Sequence, residues 1–176
     1  MLVKIIIVVA AIIIAILAYA ATRPDTFRIE RSITIDAPPE KVFALLDDFR
    51  GWGQWSPWEA KDPNLQRTFS GPASGLGAVY AWVGNKDVGS GRMEIKEDAA
   101  PSKLLIQLDF IAPFKASNMA EFNLQSAGGK TTVNWAMYGN NIFIAKLMQV
   151  FMSMEKMVGP DFDAGLAKLK KAAEAG

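Results

Sequence analysis

The spacing of apolar residues changes three times along this chain. From Ile5 to Ala21 there is an uncharged run of seventeen residues with no polar face. Then the period becomes two: Phe27, Ile29, Ile33 and Ile35 alternate with Arg28, Glu30, Ser32 and Thr34, which predicts a half-buried strand. Asp36-Ala37-Pro38-Pro39-Glu40 reads as a helix start, with Asp36 or Ala37 near the cap and proline in the first turn. Val42, Phe43, Leu46 and Phe49 form the buried side of that short helix. The segment Gly51 to Glu59 is too rich in glycine and proline for a long helix, so it reads as a helical turn with its tryptophans packed inward.

Six more strands follow, over 65–69, 78–83, 89–97, 104–110, 120–125 and 131–138, separated by turns such as Gly71-Pro72, Gly84-Asn85-Lys86-Asp87 and Gly128-Gly129. The period then changes to 3.6. Between Asn140 and Ala173, Phe143, Ile144, Leu147, Met148, Val150, Phe151, Met154, Met157 and Val158 share one half of a helical cylinder. Ala145, Lys146, Gln149, Ser153 and Lys156 take the other, and Phe162, Leu166 and Leu169 resume the apolar face. The prediction is one long helix, capped by Asn140 or Asn141 and kinked at Gly159-Pro160. Strands joined by short turns form an antiparallel sheet, and a sheet with one apolar face needs a cover. The last helix is the only element long enough to supply it.

The first run, with Leu2 and Val3 around Lys4, nears the ~20 residues that cross a hydrocarbon core. The expected organisation is therefore an anchor over residues 1–23 and a domain over 24–176. A signal peptide is the rival, since Ala18-Tyr19-Ala20 has the small-x-small form of a cleavage site, but the run exceeds the usual ~7–15 residue signal core. Lys4 lies before the span and Arg23, Arg28 and Arg31 soon after it, so side-chain charge alone would keep the domain cytoplasmic. The very short N-terminus favours placing the domain outside the cytoplasm.

Composition removes several classes of chemistry. Of 176 residues none is cysteine and none histidine, which excludes disulfides, thiolate nucleophiles, Ser-His-Asp triads and histidine metal sites. Formal charge is +1, so nothing suggests nucleic acid. No carboxylate cluster has metal-ligand spacing, and the loop Gly71 to Gly77 lacks the lysine of a phosphate loop. No metal or cofactor is expected.

The element order, with Ile35-Asp36-Ala37-Pro38-Pro39-Glu40-Lys41-Val42-Phe43, Trp52-Gly53-Gln54-Trp55-Ser56-Pro57-Trp58-Glu59 and Val88-Gly89-Ser90-Gly91-Arg92-Met93, resembles the START/Bet v 1-like superfamily. Within it the chain is most similar to the bacterial SRPBCC proteins, the polyketide cyclase/dehydrase and lipid-transport group, over about residues 27 to 173. The resemblance implies an α+β helix-grip fold: a curved antiparallel sheet of about seven strands around a long C-terminal helix, here with a transmembrane helix in front. It also implies a deep hydrophobic cavity, which different members use for lipids, sterols, polyketides, hormones or partner proteins. Fold alone does not choose among these.

Candidate cavity residues are Trp55, Trp58, Tyr80, Trp82, Phe110, Phe114, Phe122 and Trp135, with Leu147, Phe151, Met154 and Glu155 from the last helix. Tyr80, Asn118 or Asn134 would supply polar contacts, and Phe110 to Phe114 forms a proline-bent lip or a buried connection. Acid-base chemistry would fall on Glu59, Tyr80, Arg92, Asp109, Glu121, Tyr138 or Glu155, the last at the border of the apolar arc. The expectation is a membrane-tethered module for a lipid or another hydrophobic small molecule, with no catalytic residues assigned. An aromatase/cyclase-like enzyme and a co-chaperone-like interaction domain are the alternatives. The sequence does not give the oligomeric state.

Overall fold

In the computed structural model, which describes residues 1–175, an apolar helix α1 (Leu2–Ala21) leads into the first strand β1 (Thr26–Ile35). A short helix α2 (Pro39–Phe43) and a 3-10 turn (Phe49–Gln54) follow. Then come β2 (Gln66–Ser70), β3 (Val79–Val83), β4 (Ser90–Ala99), β5 (Lys103–Ala112), β6 (Ala116–Ala127) and β7 (Lys130–Asn140). The chain closes with helices α3 (Phe143–Phe151) and α4 (Met154–Glu174). All six of the later predicted strands form.

The seven strands make one antiparallel sheet in the order β1-β7-β6-β5-β4-β3-β2. Only β1 pairs out of sequence, so the fold needs a single long closure and otherwise propagates through hairpins. Register shifts in β4 at Ser90/Gly91 and Ile95/Glu97 bend the sheet, as an unpaired residue does in an antiparallel ladder. The concave face carries the inward phase of each strand, including Ile29, Ile95, Leu104, Ile106, Phe122, Val133 and Trp135, all buried. α4 lies across this face through Phe162, Leu166, Leu169 and Ala173, which recur at helical spacing and are buried.

Packing of α4 centres on Trp135. Phe162 stacks on its indole at 4.0 Å between centroids and 9° between planes, and Phe122 stacks at 5.1 Å. A Cβ on Gly165 would stand 2.9 Å from the Trp135 ring and 3.0 Å from Pro57, so a side chain there would lift the helix. Trp55 meets both Phe122 and Trp135 edge-on, and its indole donates to the Leu45 carbonyl at 2.9 Å. The tryptophan segment is therefore a plug between α2, the sheet and α4.

The C-terminal helix departs from expectation. The break falls at Met152-Ser153 and not at Gly159-Pro160; Met152 is extended, Ser153 caps α4 by accepting from the Lys156 amide, and Pro160 lies inside α4. α3 leaves the concave face and packs against α1. Its orientation is the reverse of the prediction: Lys146 is buried, whereas Phe143, Met148 and Phe151 are exposed. Lys146 reaches Asp25, and this hydrogen-bonded partner lowers the Asp25 carboxyl below its ordinary range.

Nor does either asparagine cap α3, which begins after Ile142 without a side-chain cap. Asn141 instead clasps the segment that follows α1, donating through Nδ2 to the Pro24 and Thr26 carbonyls at 2.9 and 3.1 Å. Its amide donates to the Asp25 carbonyl at 2.7 Å, and Gln149 donates to its Oδ1.

Leu169→Ala removes a fully buried side chain from the α4 seam. It should lower stability by about 2–5 kcal/mol, measured as a fall in the urea midpoint of near-ultraviolet circular dichroism on the detergent-solubilised chain.

Candidate functional site

Between sheet and α4 the apolar surfaces do not close completely. They leave a cavity of about 200 Å³ bordered by Trp52, Trp58, Leu65, Tyr80, Trp82, Met93, Leu108, Phe110, Ala120, Trp135, Met137, Val158 and Phe162. Ser56, Glu59 and Asp87 complete its wall. By strand register the cavity lies toward the sheet end where β1 begins, β7 ends and β5 turns into β6.

Local sequence shapes this end. Gly91 faces Trp82: a Cβ there would stand 2.4 Å from the indole and 2.5 Å from the Asp109 carbonyl oxygen, so only glycine lets the ring lie flat across β4. The Trp82 indole donates to the Val88 carbonyl at 3.1 Å. Asp62, buried, accepts from the Asn64 and Asn85 amides at 2.9 and 2.6 Å and joins the segment before β2 to the β3–β4 loop. Asn85 in turn accepts from the Asp87 amide at 2.9 Å, which sets the loop that brings Val88 to the cavity.

One polar cluster touches the apolar wall. Tyr80 donates its phenol proton to Glu59 Oε1 at 2.6 Å, and Arg67 donates through Nε to Glu59 Oε2 at 2.7 Å. Burial first, then the Glu59 carboxylate that accepts its proton, pushes the Tyr80 phenol above its ordinary range. At neutral pH Tyr80 is a hydrogen-bond donor and not a base. Among the described residues no group of carboxylates is arranged to hold a metal ion.

Of the twelve candidate residues, Trp58, Tyr80, Trp82, Phe110 and Trp135 line the cavity. Trp55 and Phe122 lie one layer deeper as filled core. Phe114 is exposed at the β5–β6 hairpin, and Leu147 and Phe151 left the sheet with α3. Met154 packs at the core margin, and Glu155 faces outward, paired with Arg31. Of the acid-base candidates only Glu59 and Tyr80 reach the cavity. Asp109 bonds to Gln107 and Ser117, Tyr138 to Glu121, and Arg92 to Glu94, all away from it. Asn134 borders a shallow polar depression instead, and Asn118 is buried beside Gly139. Met93, Leu108, Ala120 and Met137 were not singled out, yet each sits in the inward phase of its strand, which was the available signal.

The family model described as polyketide cyclase / dehydrase and lipid transport matches residues 26–174. The chain belongs to this family. Solved structures with the same fold include an Aha1 dimer from Colwellia psychrerythraea, at 19% identity and TM-score 0.61, covering 85% of this chain and 98% of that one. The di-domain ARO/CYC BexL matches at 15% identity and TM-score 0.60, covering 91% of this chain and 54% of that one. Ara h 8.0201 matches at 14% identity and TM-score 0.55, covering 85% and 95%. No curated protein sequence matches the chain. These likenesses place this polyketide cyclase/dehydrase and lipid-transport family member among Bet v 1-like folds.

Because the folded-state Tyr80 proton is held more tightly than in the unfolded chain, its contribution to stability is complete below about pH 10 and is lost as pH rises beyond it toward the folded value. Tyr80→Phe should cost about 1.5–3 kcal/mol at pH 8, the range for hydrogen bonds to charged groups. It should also flatten the alkaline fall in melting temperature, read by calorimetry between about pH 9 and 11.

Proposed function

We propose that the chain is a membrane-anchored binding protein for a slender apolar molecule of the lipid or polyketide class, held between sheet and α4. The observation that carries this reading is the cavity itself: its wall is aromatic and aliphatic, and its Glu59 and Tyr80 groups are bonded to each other and to Arg67. Committed in this way, they orient a ligand's polar end better than they transfer a proton. At about 200 Å³ the space suits a single chain or a small ring system, since pockets for drug-sized ligands run to roughly 300–1,000 Å³. α1 supplies the anchor: it is 20 residues long, apolar and exposed from Leu2 to Ala15. An apolar ligand partitions into a bilayer, so anchoring raises its concentration at the protein. The family description, which includes lipid transport, supports the same reading.

A second reading, an aromatase/cyclase-like enzyme, draws on the Tyr80 hydroxyl as a proton donor at the cavity wall and on the likeness to an ARO/CYC protein. It requires that Tyr80→Phe abolish turnover of a poly-β-keto substrate, whereas a binding protein keeps its affinity for a simple acyl chain.

Four of the five tryptophans border the cavity, so energy transfer to cis-parinaric acid reports its occupancy. With the full chain in phosphatidylcholine nanodiscs, transfer should saturate. Ala120→Phe, which fills the cavity from β6 without adding a polar atom, should weaken the saturable component about tenfold or more, a loss of at least ~1.4 kcal/mol. Equal saturation in both proteins would remove the cavity as the binding site.

A further inference from the structure

α3 is amphipathic with its faces exchanged. In a water-exposed helix the polar side faces solvent and the apolar side faces the core. Here Lys146 is only 9% exposed and holds Asp25, and Gln149 holds Asn141, so the polar face is turned toward the protein. Phe151, 75% exposed, projects outward with Phe143 and Met148. Burying lysine while presenting phenylalanine is unfavourable in water and favourable where the outer medium is apolar.

The neighbouring helix identifies that medium. Every residue of α1 from Leu2 to Ala15 is exposed; only Ile16 and Ala20, one helical turn apart, are covered on the side that packs against α3. At 1.5 Å per residue this sets α3 beside the last turns of α1, at the level where a span of this length emerges into the headgroups. Tyr19 and Arg23, which interact at the same level, are the residue types that collect at a membrane interface. At the same end of the sheet, Ile111 and Phe114 are exposed on the β5–β6 hairpin, and the neighbouring Lys115 has no ion-pair partner among the described residues.

We propose that α3 and the β5–β6 hairpin are a lipid-contacting surface, with the outward face of α3 seated at the headgroup–acyl boundary of the same bilayer that α1 crosses. The inference rests on reading α1 as a membrane span. It adds that the domain does not swing freely on a linker: its cavity end is held against the lipid, so an apolar molecule passes between bilayer and cavity with little exposure to water.

The absence of cysteine makes the test direct. Single substitutions Ile12→Cys, Phe151→Cys, Phe114→Cys and Ala127→Cys, each carrying a nitroxide label, are reconstituted as the full chain in phosphatidylcholine vesicles. Electron paramagnetic resonance then compares oxygen with a water-soluble nickel chelate as relaxing agents. Labels at 151 and 114 should be oxygen-rich and chelate-poor, between the buried-in-lipid value at 12 and the aqueous value at 127 on the opposite end of the sheet. Aqueous values at 151 and 114 with a lipid value at 12 would overturn the proposal and leave the anchor standing. An aqueous value at 12 as well would remove both. Strong label–label broadening at 151 that persists on dilution in lipid would also overturn it, because a second copy would then cover the face. The replaced side chains, Ile12, Phe114, Ala127 and Phe151, are all exposed and none lies at positive φ, so folding should survive; near-ultraviolet circular dichroism verifies it.

Discussion

The contact of Phe162 with Trp135 sets how closely the last helix approaches the sheet. Two rings lying flat at 4.0 Å fix the distance at one point, and Gly165, one turn further along, allows the helix to keep that approach. On the far side of this contact Leu166, Leu169 and Ala173 fill the space completely. On the near side the curved sheet diverges from a straight helix, and the cavity is the wedge left between them. The stacked pair thus both holds the helix to the sheet and shapes the cavity: it is the cavity floor and the line from which the gap opens.

The polar arrangement follows from the same geometry. A wedge lined by tryptophan, methionine and leucine cannot hold an unpaired charge, and Glu59 enters its wall only with Arg67 and Tyr80 attached. The cluster lies on β2, β3 and the loop before them, strands that the shorter β2–β3 hairpin contributes to the sheet margin. There Arg67 remains partly hydrated while Tyr80 reaches inward, so one salt bridge spans the boundary between water and cavity.

Much of the sheet was legible in the sequence because strand alternation is local: each inward residue is marked by its polar neighbours. The short helix at Pro39 and the turn at Phe49 were legible from proline and glycine placement. What escaped was non-local. The apolar stripe from Phe143 to Val158 predicts one continuous face on the sheet, whereas only its later part, Met154 and Val158, packs there and the α3 part turns outward. Periodicity gives the two faces of a helix but not the medium each one meets. The partner that decided the orientation, Asp25, lies 121 residues away from Lys146. The tryptophans were similarly ambiguous: Trp55 and Trp58 differ by three positions, yet one is core and the other cavity wall, because a layer of rings separates them. Size and aromaticity identify the neighbourhood of a cavity, not the side chains that face it.

The packing of α3 on α1 changes what the first twenty residues are. The Asn141 side chain binds the segment after α1 at Pro24 and Thr26, and α3 covers Ile16 and Ala20. Cutting the chain after Arg23 would therefore not release a finished domain. It would leave α3 without its neighbour, with the greasy side already facing outward and the supporting side newly bare. A shortened version made for convenience of handling would tend to self-associate, and its behaviour in solution would be a property of the cut.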